Sequence, residues 1–398
     1  MRMWVYVIRR LLLMIPVIIG VMTITFVLVT ALGPTQRIET FIGPSKQGYS
    51  PMINCIPGDT SPHPAQCPNP AYVRAVHALG LDKPVEYQWG VYIYNSLTLN
   101  WGNTSKASDA SQLYGITTST AVITVLSWYL PYTLELAAIS LVIILALAIP
   151  IGNYSAVYRN RPFDQAARVV SFSGYAFPGF LLALLLLLAA TQLSGGFVAI
   201  CHGGSDAFNE WFGSWPSQNC LPGGNYPNWM GSQNHFHTSP TGFPTVDAIL
   251  NGNSYLAWES FKRMILPALT IAFGAIAGIL RFVRNSMLEV MNLDFIRTAR
   301  AKGVPERTVV RRHAGRNSLN VTVTILGLTF AGFIGGFPVT EQVFGLTGIG
   351  NLLVQSVHVP IDYGLVFGTT LLFTIIVVIA NIIVDVLYAF LDPRVRLG

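Results

Sequence analysis

Charged side chains are scarce in this chain of 398 residues. Asp, Glu, Lys and Arg together make up 11% of it, whereas hydrophobic residues make up 52%. A soluble domain usually carries about 25% charged residues, so this composition excludes that class and indicates a membrane protein. The net charge of +6 does not indicate nucleic-acid binding, because the basic residues lie beside apolar runs and not among aromatic residues of a soluble module.

Catalytic motifs are also absent from the sequence. It has no G-x-x-x-x-G-K-[ST] loop, so the chain cannot hydrolyse ATP by the P-loop mechanism, and it has no H-E-x-x-H or G-x-S-x-G motif. The pattern Gly345-x-x-Gly348-x-Gly350 superficially resembles a phosphate-binding loop. No strand precedes it, so we interpret it as a tight re-entrant turn between two apolar runs. We therefore expect no enzymatic activity and no cofactor in this chain.

Six apolar runs are long enough to cross a hydrocarbon core of roughly 30 Å at about 1.5 Å per residue. Backbone groups in hydrocarbon must bond within their own segment, so the sequence predicts an all-α polytopic membrane protein with six transmembrane helices. A cleaved signal peptide is the alternative for residues 1–32, but its apolar part is too long and lacks a small-x-small site. The six runs are approximately Leu11–Leu32, Leu130–Gly152, Val169–Leu193, Met264–Leu280 (with a continuation to Leu288 left open), Leu319–Thr340 and Gly364–Phe390.

Lys and Arg indicate the orientation of these helices. With the N-terminus in the cytoplasm, the short inside segments hold most of the basic residues, and the much longer outside segments hold few. Both termini are therefore expected in the cytoplasm of a cell-membrane protein. Two large extracytoplasmic segments, 33–120 and 194–261, are rich in Gly, Pro, Ser and Asn and are expected to be loop-rich. The segment 33–120 separates the first helix (1–32) from helices two and three (121–193). The segment 194–261 separates these from helices four to six (262–398).

All four cysteines lie in the two outside segments. Proximity in the sequence favours disulfides Cys55–Cys67 and Cys201–Cys220 among the three possible pairings, in a compartment that permits oxidation. The alternative is a metal site, whose ligand spacing would fit no familiar zinc pattern, so we expect none. Its ligands would be Cys201, His202, Cys220, His235 and His237.

Two acidic residues fall inside predicted spans. Glu135 lies early in the second span and Asp385 late in the sixth, and ionisable residues inside a membrane are functional candidates by default. A structural partner on a neighbouring helix explains Glu135 equally well. An arginine such as Arg10 or Arg394 near the cytoplasmic end would likewise pair with Asp385. Both interpretations stay open for both residues.

The segment 294–317, which we call the elbow, lies between the fourth and fifth spans. It reads D-F-I-R-T-A-R-A-K-G-V-P-E-R-T-V-V-R-R-H-A-G-R-N. A helix-forming run leads to Gly303, the preferred residue just past a helix C-terminus, and Pro305 suits the first position of a second helix. We therefore predict two short helices that meet at a corner. The elbow carries seven basic residues, Arg297, Arg300, Lys302, Arg307, Arg311, Arg312 and Arg316.

The elbow closely resembles the cytoplasmic EAA loop of ABC-importer permeases. It is most similar to the dipeptide/oligopeptide branch, whose loop commonly runs R-T-A-R-A-K-G and ends R-H-A-L-R-N. Gly315 stands where that family usually has leucine. The R-R-L-L-L-x-x-P start (Arg9–Pro16), the stretch from Glu341 to Gly350 and the closing Asn381–Arg396 are also similar to this branch. The outer segments are longer than usual. The resemblance implies the ABC-importer permease fold.

The resemblance further implies that the elbow docks on a cytoplasmic ATPase subunit. The implied partners are ATP-binding subunits, a second homologous permease, an extracytoplasmic solute-binding protein and membrane lipids, and no nucleic acid. Peptides are the default solute, and oligosaccharides are an alternative. The docking residues implied by the family pattern are Arg297, Thr298, Ala299, Arg300, Ala301, Lys302, Gly303, Val304 and Pro305.

Two other classes of function compete with an importer subunit. A self-contained secondary transporter or channel would move solute without a partner, but it predicts a repeat between the two halves that the sequence does not display. A membrane scaffold explains the long outer segments, but it gives the elbow no purpose. Reversal of the charges of Arg297 and Arg300 distinguishes these classes, since only the importer should lose ATP-coupled uptake.

Overall fold

The computed structural model describes residues 3–31, 33–35, 37–38, 50–54, 66–104, 120–193, 241–250, 252, 254–318, 337–358 and 361–391. Contacts divide the chain into two compact units. The first unit comprises Met1–Leu12, Pro131–Asn351 and Ile376–Gly398, and the second comprises Leu13–Leu130 and Leu352–Ile375.

Helices dominate the described residues. In the first half of the chain they are α1 (Met3–Thr30), α2 (Pro70–Ala78), α3 (Val85–Leu97), α4 (Val122–Val157), α5 (Pro162–Ala176) and α6 (Gly179–Leu193). In the second half they are α7 (Pro244–Leu250), α8 (Ser254–Met291), α9 (Asp294–Ala301), α10 (Glu306–Thr308) with a π-helical turn (Val309–Ala314), α11 (Phe337–Phe344), α12 (Ile349–Val357) and α13 (Tyr363–Leu391). Two short strands, β1 (Met52–Asn54) and β2 (Gln66–Pro68), pair antiparallel.

Three of the helices are long and apolar enough to cross a membrane. The qualifying segments are Val122–Val157 of α4, Ser260–Met291 of α8 and Tyr363–Ile383 of α13, which contain most of the second, fourth and sixth predicted spans. In α1, the apolar stretch Ile15–Leu28 is shorter than a full span. The fifth predicted span, Leu319–Thr340, lies mostly outside the described residues. The chain is thus a multi-pass helical membrane protein.

The third predicted span, Val169–Leu193, is divided by a sharp bend. Helices α5 and α6 meet at a bend of 108°, and they make one broken span if they cross together. Phe177, with ψ 121°, is extended because the ring of the following Pro178 disfavours helical backbone at the preceding residue. The carbonyl of Pro178 then accepts the N–H groups of Leu181 and Leu182, at 3.0 and 3.1 Å, and begins α6.

Helix α8 organises the first unit. It packs against α5, α6, α7 and α11. Small residues permit the close approaches: a Cβ at Gly174 of α5 would collide with Ala277 of α8, and a Cβ at Gly152 of α4 would lie 2.8 Å from the Val283 side chain. Glycine and alanine at such crossings let helix backbones approach within a membrane, where packing drives association.

The described part of the segment 33–120 is more regular than the loop-rich prediction. Ile53 of β1 stands opposite Cys67 of β2, and α2 follows, with the Asn69 side chain accepting the Ala71 N–H at 3.0 Å. Cys67 is disulfide-bonded. The other three cysteines, Cys55, Cys201 and Cys220, lie outside the described residues, so the two proposed pairings stay predictions. The same holds for the alternative metal site.

The glycine motif after α11 wraps around a carboxylate of the chain itself. Glu341, 1% exposed, accepts a hydrogen bond from Thr133 Oγ1 at 2.7 Å and another from the Asn351 N–H at 2.9 Å. The Gly350 N–H also donates to it. The Glu341 carboxylate thus occupies the N-terminus of α12, where free N–H groups favour an anion. The motif is a tight turn, as we inferred, and an internal side chain fills its anion-binding position, whereas its re-entrant placement between two spans stays a prediction.

Replacing Gly348 by alanine should destabilise the protein. A Cβ at Gly348 would overlap the buried Glu341 carboxylate, which Thr133 and the start of α12 hold in place. Overpacking of this kind costs about 1–3 kcal/mol. We expect Gly348→Ala to lower the midpoint of thermal unfolding of the purified chain in detergent.

Gly274→Ala is the matched control for this substitution. Gly274 lies within α8, and a Cβ there would meet no atom within 4 Å. Alanine in a helix interior is favoured over glycine by about 0.5–1 kcal/mol, so the control should unfold at the same temperature or higher. An unchanged midpoint for Gly348→Ala would show that the turn around Glu341 is looser than described.

Candidate functional site

The first arm of the elbow has one buried and one exposed face. In α9, Ile296 is fully buried and Ala299 is 9% exposed, and their spacing of three residues puts them on the same side of the helix. Thr298, Arg297 and Arg300 lie on the solvent-exposed remainder of α9. The helix is therefore anchored on one side and open on the other.

The buried face of the elbow belongs to a small core that joins three parts of the chain. Ile296 and Ala299 share it with Met287 of α8, Ala156 of α4, and Val309 and Ala314 of the second arm. Complete burial of an isoleucine side chain contributes about 1.5–3 kcal/mol. Displacement of α9 must therefore either move the ends of α4 and α8 with it or open this core.

The corner of the elbow is a Schellman motif. The Val304 N–H donates to the Ala299 carbonyl at 3.2 Å and the Gly303 N–H donates to the Arg300 carbonyl at 2.9 Å. Gly303 has φ +75°, a left-handed conformation that glycine adopts without the steric cost of a Cβ. The two predicted short helices and the role of Gly303 between them agree with the structure.

The second arm differs from the prediction in two respects. Pro305, with ψ 136°, caps the arm instead of occupying its first helical position, and its carbonyl accepts the Thr308 N–H at 2.8 Å. The arm then continues as a π-helical turn, in which the Gly315 N–H reaches the Val310 carbonyl. A Cβ at Gly315 would lie 3.1 Å from that carbonyl oxygen. Glycine at this position therefore suits the wider turn.

The exposed surface of the elbow is basic with apolar residues beside it. All seven Arg and Lys residues named above are exposed, and Phe295 and Leu293 are 41% and 48% exposed. Arg297 has only a long contact of 3.4 Å with the exposed Asp294. Such a surface can receive an acidic partner with apolar side chains, because both charge and apolar area remain available.

One ion pair clamps the corner of the elbow. Arg300 donates from Nη2 and Nε to the two oxygens of Glu306, at 2.7 and 3.1 Å, which links the first arm to the second. The hydrogen bonds from Arg300 lower the pKa of Glu306, and Glu306 raises the pKa of Arg300. Both side chains are substantially exposed, so water and salt weaken the pair. It holds the angle of the corner and adds little to global stability.

A buried ion pair that the sequence did not reveal fixes the helices next to the elbow core. Arg284 of α8 donates from Nε and Nη2 to the two oxygens of Asp164 of α5, at 2.6 and 2.9 Å. Asp164 is fully buried and also accepts hydrogen bonds from Ser155 of α4 and from the Asn160 N–H. The pair thus joins α4, α5 and α8 close to the positions where Ala156 and Met287 contact the elbow.

The two intramembrane acidic candidates have different outcomes. Both oxygens of Glu135 lie 3.3 Å from the Thr245 N–H at the start of α7, and Glu135 is 6% exposed. This geometry favours the interpretation of Glu135 as a structural link between α4 and α7. The backbone of Asp385 is part of α13, but its side chain is not among those that the structure describes. Both interpretations of Asp385 therefore stay open. Among the described residues, no cluster of His, Cys, Asp or Glu could hold a metal ion.

Comparison with known proteins places these features in a family. Residues 148–397, which include the elbow, match the family described as "Binding-protein-dependent transport system inner membrane component". The probable D,D-dipeptide transport system permease protein DdpB of Escherichia coli is 32% identical over 80% of this chain and 83% of its own length. The dipeptide permease DppB of Alkalihalophilus pseudofirmus is 28% identical, over 99% of this chain and all of its own. The oligopeptide permease AppB of Bacillus subtilis is 29% identical, over 98% and 99%. The resemblance inferred from the motifs is confirmed.

Removal of the Asp164 carboxylate should destabilise the protein strongly. Asp164→Ala leaves the Arg284 guanidinium, 13% exposed, without its partner, and breaking a buried pair in this way costs about 3–5 kcal/mol. We expect a large fall in the thermal unfolding midpoint of the purified chain. Arg168→Gln is the control, because Arg168 is 42% exposed and lies 3.4 Å from the same carboxylate, so its loss should cost less than about 1 kcal/mol. Equal shifts for the two variants would contradict the clamp.

Neutralising Glu306 should loosen the corner of the elbow at neutral pH. An exposed pair contributes at most about 1 kcal/mol, so hydrogen exchange of the Gly303 and Val304 amides should accelerate no more than roughly fivefold in Glu306→Gln. The folded-state pKa of Glu306 is lowered, so the contribution of the pair is complete above the ordinary glutamate pKa of about 4.3 and is lost as the pH falls through the lowered value.

The pH dependence supplies the internal check of this prediction. The difference between the original chain and Glu306→Gln should shrink and then disappear as the pH falls through the lowered pKa of Glu306, because Glu306 itself becomes protonated there. Glu289→Gln removes another exposed glutamate, on α8, and should leave the exchange of these amides unchanged. A difference that persists at acidic pH would mean that the carboxylate charge does not hold the corner.

Proposed function

This chain belongs to the family of binding-protein-dependent transport system inner membrane components, and we propose that it is one permease subunit of an ATP-driven peptide importer. The single observation that carries the ATP-driven part is the elbow, an exposed basic corner whose reverse side is anchored in the core of α4 and α8. A connector between spans needs neither the anchored face nor the fixed corner. A surface that receives force from another protein needs both.

Peptides are the solute class that we propose. The three relatives described above are named for the transport of D,D-dipeptides, dipeptides and oligopeptides, and two of them align over almost the entire chain. The oligosaccharide alternative has no support among them. Sequence identity near 30% supports the class of solute, whereas the preferred peptide depends on side chains that differ between such relatives.

The partners follow from what the chain itself cannot do. Its sequence contains no nucleotide-binding P-loop, so ATP hydrolysis belongs to separate subunits. We propose that the segment Arg297–Pro305 docks on such an ATPase subunit at the cytoplasmic face. A second, homologous permease would complete the pathway, and a solute-binding protein would deliver peptide on the opposite side. We propose no cofactor for this chain.

The contacts around the elbow suggest how the motion would be transmitted. A push on α9 acts first on Ile296 and Ala299, which share one buried core with Met287 of α8 and Ala156 of α4. The Asp164–Arg284 pair then carries the displacement to α5, because it holds α5 and α8 together with two hydrogen bonds. The three helices would therefore respond as one block, which is the requirement for switching access from one side of the membrane to the other.

Charge reversal on the elbow tests this proposal directly. In the importer reconstituted with its ATPase and binding-protein subunits, Arg297→Glu combined with Arg300→Glu should reduce ATP-driven dipeptide uptake by at least about tenfold, since like charges placed across an interface cost several kcal/mol. Membrane insertion should be unchanged, because both side chains are exposed. Arg297→Glu alone, which leaves the Arg300–Glu306 pair intact, should produce part of the loss.

A second pair of exposed arginines supplies the control. Arg159 and Arg161 lie between α4 and α5, on the same side of the membrane in the proposed orientation but off the elbow. Their reversal to glutamate should leave uptake within about twofold of the original, because neither side chain belongs to the proposed docking segment Arg297–Pro305. Full uptake by the Arg297/Arg300 variant, or equal uptake by this chain without any ATPase subunit, would refute the proposal and favour a self-contained transporter.

A further inference from the structure

The second unit contains a cavity of about 130 Å³ that no feature of the proposed coupling uses. Four aromatic side chains line it, and they come from α1, α3, the segment after α3, and α13: Phe26, Tyr92, Trp101 and Phe367. The rings are held in place. Phe26 and Tyr92 pack with their centroids 5.6 Å apart, and the Trp101 Nε1–H donates to the Ser96 carbonyl at 3.0 Å.

A guanidinium that has no counter-ion among the described residues lies in the wall of this cavity. Arg37 donates from Nη2 to Gln88 Oε1 at 2.8 Å, while its Nε is buried and has no hydrogen-bond partner. Among the described residues, no ion pair involves Arg37. Desolvation lowers the pKa of Arg37, which is the sign of a charge that its surroundings do not compensate. A partly buried guanidinium with an unsatisfied N–H of its own is unfavourable unless an anion binds to it.

The size of the cavity limits what can enter it. An apolar cavity of about 150 Å³ holds one benzene molecule, whereas sites for drug-sized ligands span about 300–1,000 Å³. The space in the second unit therefore accepts one side chain. It is too small for a lipid chain together with its headgroup, or for a complete peptide. Asn95 and Asn100 also line the cavity and offer amide groups to a polar backbone.

We propose that this cavity binds the C-terminal residue of a peptide, with its carboxylate on Arg37 and its apolar side chain among the four rings. The identification of the ligand as a peptide end rests on the proposed function. The chemistry of the site, one carboxylate attached to one apolar group, rests on the cavity itself. In the proposed orientation the site lies on the outer side, where solute would arrive.

Calorimetric titration of the purified full-length chain in nanodiscs tests this assignment. The probes are N-acetyl-L-phenylalanine and its C-terminal amide, which have the same side chain and differ in charge. The acid should bind at least about tenfold more tightly than the amide, the advantage expected for a charge-assisted pair with a guanidinium. Arg37→Gln should remove this preference. Arg74→Gln removes an exposed arginine of α2 whose Nε donates to the Pro70 carbonyl of the same helix, and it should retain the preference.

A second variant keeps the test valid if Arg37→Gln does not fold. Ala78 lies at the exposed rim of the cavity, so Ala78→Trp should obstruct it and weaken binding of the acid and the amide alike, with the charge unchanged. Hexanoate distinguishes the source of the carboxylate, because it represents an acyl chain without a peptide backbone. Tighter binding of hexanoate than of N-acetyl-L-phenylalanine would overturn the assignment to a peptide end.

Two further outcomes would overturn the proposal itself. These are equal binding of acid and amide, and a preference for the acid that survives Arg37→Gln. The measurement uses the chain alone, without ATPase or transport. Failure of ATP-driven uptake in a reconstituted importer would therefore count against the proposed function and not against the binding site. Failure of the acid to bind would count against the binding site and not against the proposed function.

Discussion

The small core under the elbow is the interaction on which the proposed mechanism depends. Ile296 of the short surface helix α9 shares this core with Ala156 near the end of α4 and Met287 near the end of α8. At about 1.5 Å per residue, the 36 residues of α4 extend about 54 Å, well beyond a hydrocarbon core of roughly 30 Å. An upright α4 would therefore project from the bilayer, and the elbow shares its core with Ala156, which lies near the end of this helix.

Local chemistry explains which parts of this arrangement the sequence could predict. The corner of the elbow was predictable because capping depends on residues a few positions apart: Gly303 ends one arm and Pro305 begins the next. The break at Pro178 is local too, and the apolar composition of the third run concealed it. The Asp164–Arg284 pair joins residues 120 positions apart, and nothing in the sequence around either residue specifies its partner. The π-helical turn likewise had no signal beyond Gly315.

The turn around Glu341 illustrates how a sequence motif and its chemistry can separate. Glycines before a helix N-terminus create space and free N–H groups in this protein as they do in nucleotide-binding loops. Here the chain provides its own anion: the Glu341 carboxylate, with Thr133 from a distant helix, occupies the position that a phosphate takes elsewhere. Glycine fits position 348 because the Glu341 carboxylate of the same chain occupies the space that a Cβ would need.

The bend at Pro178 separates two helices of different character. Helix α5 carries Asp164 and Arg168, whereas the described α6, Gly179–Leu193, contains no charged residue. Both helices pack against α8. Helix α8 therefore holds a charged neighbour through the Asp164–Arg284 pair and an uncharged neighbour through side-chain packing, two kinds of contact that respond differently to salt.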